Sequence, residues 1–417
     1  MTRKQSGHVL SRQRTMHLWL PMTILTCSLA LASCDDNEND PVDTATDDTA
    51  TGSDSATGSD STEIDTNSDT DSNTGVVAKP ATGVLVITTD YQTGAYSTVS
   101  LNGATVRKDV DFIHSDAVCH VDNVTGTPFI LQRLGADAVD VLNPTNFAIA
   151  KEFSVEPSSN PHDIELITAD KAYVTRFGTP LILIVNPTTG AHTGTVDLSA
   201  LADADGIPEI SGMVNMKGKL YVTVSRLNRD NGWEPVGDSY IVFIDAATGK
   251  VEGNVKVQGT NIVGQPEWSE ALNKFVISQV GSYGTLNDGG VQLLDPATNT
   301  LGAFVITEAT LGGSLNKVVC ATETKCFAII GVAGGSGSNT HLVEFNPQIG
   351  TVTGTLAAGA GWVYGDIVLN DDNTELWLAD RTAAASGLRI FNVATSEEKT
   401  TAPINVGLPP SDICFTR

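Results

Sequence analysis

The chain has 417 residues, with 24 Lys plus Arg against 49 Asp plus Glu and a formal charge of −25. Such an excess of acid argues against nucleic acid and anionic membrane surfaces as partners and leaves basic or neutral ones open. With 41% hydrophobic residues and 39 glycines, there is enough apolar material for a large folded domain rich in turns.

Residues 1–33 read as a secretion signal. Arg3, Lys4, Arg12 and Arg14 precede an apolar run from Leu18 to Ala32, and no acid interrupts them. The run is about 15 residues, short of the roughly 20 that a membrane-spanning helix needs. It ends in Leu31-Ala32-Ser33-Cys34, which resembles the lipobox of bacterial lipoproteins. That resemblance implies cleavage before Cys34 and acylation of its thiol, palmitate among the chains; ordinary signal cleavage near Ser33 is the alternative.

Residues 34–78 are predicted to be an acidic, disordered tether. From Asp35 to Gly75 there are 13 acids, no Lys or Arg, and hardly an apolar side chain. Nothing there offsets the entropy of ordering, so the expected role is reach.

Residues 79–417 alternate short apolar runs with Gly, Asn and Asp turns, which gives an all-β class. One element recurs six times: a β-run, an Asp or Asn turn, and a second β-run. Examples are LILIVNPTTGAHTGTVDL (181–198) and YIVFIDAATGKVEGNVKV (240–257). A further hairpin precedes each, ending in strands such as KAYVTR (171–176) and ELWLADR (375–381). Four strands in about 45 residues is the size of a propeller blade. Two fragments remain, an inner strand at 411–417 and three outer strands at 83–110. Joined, they make a seventh blade and close the ring, with six or eight blades as the alternatives.

The segments KAYVT and NPTTGAHTGTVDL, together with TTDYQTG (88–94) and NPHDI (160–164), resemble YVTN-type propellers of exported bacterial proteins. The resemblance is greater to propeller lipoproteins with acidic Asp/Thr/Ser tethers, and it implies a seven-bladed fold without specifying a chemistry. The Ser-Pro-Asp-Gly turn usual in such blades survives only in loose forms, as TADK (168–171) and NDDN (370–373).

Four cysteines remain beyond Cys34. Cys320 and Cys326 flank a short turn and are expected to be bridged. Cys119 and Cys414 fall on neighbouring inner strands, where a bridge would lock the ring closure and two buried thiols are the alternative.

An acid stands near the start of five inner strands: Asp116, Asp163, Glu267, Asp366 and Asp412. Arginines at the ends of second strands suggest the structural pairs Asp116–Arg133, Asp163–Arg176 and Asp366–Arg381. The unbalanced groups are then Asp412 facing Asp90, Glu267 facing Gln279, and Arg226 with no acid opposite. These, with His162 and Trp233, form the candidate ligand or cation site at the channel mouth. The loop holding Asp203, Asp205 and Glu209 opens like a calcium loop without completing one. No cofactor is expected, with calcium the one ion left open.

No GxSxG, HExxH or phosphate-loop signature is present. The expected function is a monomeric binding or scaffold module with a protein or glycan partner at its loop-rich face, held to a membrane by its lipid. The alternative is a metal-dependent hydrolase or lactonase using Asp90, Asp412, Glu267 and His162. A redox propeller would need a haem-type CxxCH, which is missing. The expected location is extracytoplasmic, at the outer membrane or cell surface or on the periplasmic face of the inner membrane.

Overall fold

The computed structural model describes residues 79–417 except 335 and 336. The signal, Cys34 and the whole tether lie outside the described residues.

Seven antiparallel sheets follow one another around a ring. Numbering from the first strand, Gly83–Thr89, blade one is closed by the last strand, Pro410–Thr416, in the innermost position. Their pairing runs from Gly83 against Thr416 to Thr88 against Pro410, so the first and last described strands share one sheet. The inner strands of blades two to seven are Ala117–Val121, Pro161–Thr168, Ile210–Met216, Glu267–Ser269, Ser314–Thr322 and Tyr364–Leu369. The seven-bladed propeller expected from the repeats is the fold.

Each blade is covered on both faces, and this explains why strands read as unbroken apolar runs. In Val84-Leu85-Val86-Ile87, the valines pack into the core shared with blade seven beside Trp377 and Leu388. Leu85 and Ile87 point the other way, into the core shared with Ile130 and Leu142 of blade two. The remaining cores join the other neighbouring blades in the same manner. Polar ties repeat as well. The Lys171 ammonium and the Tyr173 hydroxyl donate to the Ala246 carbonyl in the turn of the next blade. Lys325 does the same to Val393.

Two blades are less regular than their repeats imply. The fourth strand of blade five is split into Thr300–Leu301 and Ile306–Thr307. In blade seven the fourth position is reduced to the bridges Leu388 with Ile404 and Phe391 with Glu398. The segment between them is polar and holds Pro403, which has no N–H for a ladder.

Both disulfides form. Cys119 and Cys414 join blades two and one with Cα atoms 6.2 Å apart, and Cys320 and Cys326 close the hairpin of blade six at 4.0 Å.

Candidate functional site

An inner strand has a ladder partner on one side only, so its free-edge N–H groups need acceptors. The channel-mouth acids supply them from the preceding blade. Asp163 Oδ2 accepts the Met213 N–H at 2.8 Å, Asp366 Oδ2 that of Ile413 at 3.1 Å, and Asp412 Oδ2 that of Cys119 at 2.8 Å. Glu165 Oε1 adds a fourth tie, to the Asn215 N–H at 2.9 Å.

This accounting corrects two of the three expected pairs. Asp116 does meet Arg133, whose Nε donates to Oδ1 at 2.7 Å, because the two residues stand opposite each other in the hairpin. In blade three the register sets Arg176 against Pro161 and Asp163 against Thr175, so Asp163 and Arg176 are not opposed. The buried Arg176 guanidinium turns outward to Glu156 and to the Val155 and Leu181 carbonyls. Asp163 pairs instead with His120 Nδ1 at 3.1 Å. Arg381 likewise leaves Asp366. It stacks over Tyr91 at 4.6 Å and donates to the Thr89, Pro409 and Pro410 carbonyls of blade one.

The groups expected to be unbalanced are redistributed too. Asp90 does not face Asp412, which stands opposite Ile87. It lies in an exposed turn where Oδ1 accepts the N–H groups of Gln92 and Thr93, and those bonds hold its carboxyl below the usual range. Glu267 stands opposite Val276 rather than Gln279, which is hydrogen-bonded to Gln292. Lys317 Nζ reaches Glu267 at 2.6 Å and Asp366 at 3.7 Å. Burial works against its charge, but Glu267, Asp366 and Asp412 outweigh that and hold its pKa up. Burial raises Asp366 to about 7 against the pull of Lys317, with Asp412 and Glu267 adding to the rise. Three acids are thus gathered about one lysine that was not anticipated. Its signal was present: a lone basic residue inside the apolar inner strand of blade six.

A second buried group sits on the opposite side of the channel. Burial opposes protonation of His120, but its hydrogen bond to Asp163 and the charges of Asp163, Glu165 and Asp122 raise it to about 9. Glu165 is itself pushed up to about 7, chiefly by burial. The hydrolase set of Asp90, Asp412, Glu267 and His162 therefore does not assemble: Glu267 and Asp412 share the surroundings of Lys317, whereas Asp90 lies in an exposed turn and His162 stacks on Phe177. Among the described residues, the only group of three or more His, Cys, Asp and Glu side chains close enough to share an ion is Cys119, Asp412 and Cys414. Its two sulfurs are bonded to each other.

The mouth of blades three and four carries an aromatic stack. The His162 ring lies 4.5 Å from that of Phe177 at an interplanar angle of 10°, and its Nδ1 is 3.0 Å from Ser211 Oγ. Burial, then the nearby Arg133, lowers the His162 pKa well below its usual value, so the ring is neutral. Phe177 continues to Trp233 at 5.8 Å, and the Arg229 guanidinium covers both rings. Arg229 also answers the calcium expectation. Its Nε donates to the fully buried Glu209 at 3.0 Å and lies 3.9 Å from Asp205, so a side-chain cation already neutralises this loop. Asp203 and Asp205 accept N–H groups of their own loop instead of converging with Glu209.

Arg226 has no opposing acid because its N–H donates to the Pro208 carbonyl, which places Pro208 across from it; Gly212 lies further along the hairpin, where its carbonyl accepts from the Thr223 hydroxyl. The Arg226 Nη1 makes one long bond to the Asp238 carbonyl at 3.4 Å, and its buried Nε has no partner.

No family model matches the chain, and no curated protein matches it. Solved structures do match. A putative 6-phosphogluconolactonase from Bacteroides fragilis superposes with a TM-score of 0.55 at 8% identity, over 81% of this chain and 98% of that one. A functionally unknown protein from Desulfotomaculum acetoxidans gives 0.52 at 12%, over 81% and 99%. The dihydro-heme d1 dehydrogenase NirN gives 0.51 at 12%, over 81% and 76%. At such identities these likenesses establish the propeller fold and carry no activity to this chain.

Proposed function

We infer that the chain is an exported lipoprotein of the YVTN-propeller type, anchored through Cys34, whose channel-mouth face binds a protein or glycan partner outside the membrane. The observation that carries this reading is where the exposed aromatic rings lie. Among the described residues these are Tyr91, Phe112, Trp233, Tyr283 and Trp362, the least exposed being Trp233 at 38%. All five belong to mouth-side loops or to the mouth end of an outer strand. At the other end the large exposed side chains are aliphatic, Leu101, Val124, Val251, Ile349 and Val352. Aromatic rings offer much contact area for little lost rotamer freedom and dominate recognition surfaces. The channel acids favour binding over hydrolysis, since three of them are committed to ties between blades.

The test is a binding screen of the full chain against envelope glycans and envelope proteins. Replacing Trp233 and Tyr283 together by alanine is expected to weaken the retained interaction at least about tenfold, a usual loss for aromatic anchors. Val124→Ala with Ile349→Ala should leave it unchanged. Equal losses in the two variants would remove the mouth face from the reading.

A further inference from the structure

Glu308 follows the last strand of blade five at the mouth, where Thr307 caps the short helix Glu308–Leu311. Its side chain is fully buried. Oε1 accepts the Leu315 N–H of blade six at 2.5 Å, while Oε2 is buried without a hydrogen-bond partner among the described residues. Asp288, in the loop that leaves the second strand of the same blade, repeats the pattern. Its Oδ2 accepts the Ser282 N–H at 3.0 Å, and its buried Oδ1 has no partner among the described residues.

Two glycines make room for these carboxylates. A Cβ on Gly281 would lie 2.3 Å from Asp288 Oδ1, and one on Gly289 would lie 2.4 Å from Glu308 Oε2. The Gln279 carbonyl oxygen is 2.5 Å from that same Gly289 position, so a main-chain oxygen and a carboxylate oxygen crowd one side of the glycine.

The molecule contains its own control. Glu209 is the other fully buried glutamate at the mouth, and it too accepts a backbone N–H, from Leu227 at 2.7 Å. Its second oxygen meets the Arg229 guanidinium at 3.0 Å. Glu308 has the backbone bond but, among the described residues, no basic side chain. Basic side chains at this face are paired elsewhere, among them Arg133 with Asp116, Arg176 with Glu156, Arg229 with Glu209 and Lys317 with Glu267. What stands near Glu308 instead is a second acid.

Two buried carboxylate oxygens without donor or counter-charge are costly in a medium of low dielectric. We propose that Asp288 and Glu308 bind a hard divalent cation of the calcium type, with the Gln279 carbonyl oxygen as a third protein ligand and water completing the shell. An all-oxygen donor set suits calcium, whereas zinc prefers nitrogen and sulfur. Burial raises Glu308 to about 8 against the Leu315 N–H, and the Asp288 charge adds to the rise. The cation would brace the loop that presents Tyr283, which is 54% exposed, against the inner strand of blade six.

The experiment titrates calcium chloride into the chelator-treated full chain, followed by calorimetry and by thermal unfolding. One saturable site is expected above weak binding by the acidic residues 35–75, with a melting temperature that rises as the site fills. Glu308→Gln and Asp288→Asn should each weaken that site on the order of 100-fold and abolish the thermal shift. Asp203→Asn should change neither. If Glu308→Gln fails to fold, the less buried Asp288→Asn carries the test alone. Calcium binding unchanged in these variants, or no saturable site in the unaltered chain, overturns the proposal and leaves Glu308 neutralised by a proton.

Discussion

Replacing Cys119 and Cys414 by serine is expected to lower stability by about 3–5 kcal/mol, and the same change at Cys320 and Cys326 by about 2 kcal/mol. The difference follows from what each bridge constrains. Cys119 and Cys414 are 295 residues apart in sequence, so their bond removes most of the unfolded chain's freedom; Cys320 and Cys326 are only 6 apart. The long bridge also sits at the seam where the ring must close. Without it, closure rests on the pairing of Gly83–Thr89 with Pro410–Thr416 and on the cores on either side of blade one. Urea unfolding of the two double variants, followed by intrinsic fluorescence, measures the contrast. A smaller loss at Cys119 and Cys414 than at Cys320 and Cys326 would mean that the closed ring is already held without the bridge.

Removing the charge of Lys317 should have an effect of similar size. Lys317→Met leaves Glu267, Asp366 and Asp412 with no cation among them, and breaking a partly buried ion network from one side typically costs about 3–5 kcal/mol. Adding Asp366→Asn and Glu267→Gln should recover much of the loss, because the uncompensated charge is then gone. The pH dependence has a definite sign. Asp366 is raised from 3.8 to about 7, so the folded state holds its proton more tightly than the unfolded chain does. Its contribution is complete below about pH 4 and lost as pH rises towards 7. Glu165 and Glu209, each raised from 4.5 to about 7, act in the same window. His120, raised from 6.5 to about 9, contributes below its unfolded value and is lost as pH rises through 9. Thermal stability measured in the presence of a chelator should therefore decline from about pH 5 to pH 9. A flat profile over that range, or a loss below about 1 kcal/mol for Lys317→Met, would show the channel to be better solvated than this account holds.

Much of the fold was legible because its signals are local. Turn residues such as Asn186-Pro187 and Asp245-Ala246 mark hairpins wherever they occur, and a strand buried on both faces reads as an apolar run. Closure was legible for a different reason. The inner strand holding Cys414 and the outer strands beginning at Gly83 are fragments that complete each other. The site was harder to read, because the partners of its acids lie in the next blade. Asp163 is tied to Met213, 50 residues away, and Asp366 to Ile413, 47 away. Pairing by hairpin alone therefore found Asp116 with Arg133 but misassigned Arg176 and Arg381. The stack of His162, Phe177 and Trp233 was also hidden, since it joins loops of two blades.

The arrangement of the mouth follows from the same geometry. Inner-strand carboxylates hold neighbouring blades together, which fixes the loops above them. Rings on those loops, Trp233 held at its place by Arg229 and Tyr91 beneath Arg381, then stand on a rigid base. A surface of that kind loses little freedom on binding.

The most direct measurement places a photoreactive amino acid in the full chain in intact cells, once at Tyr283 on the mouth face and once at Ile349 on the opposite one. The mouth-face position should give discrete crosslinked products that the Ile349 position does not. Equal labelling from both, or products from Ile349 alone, would contradict a partner at the channel mouth.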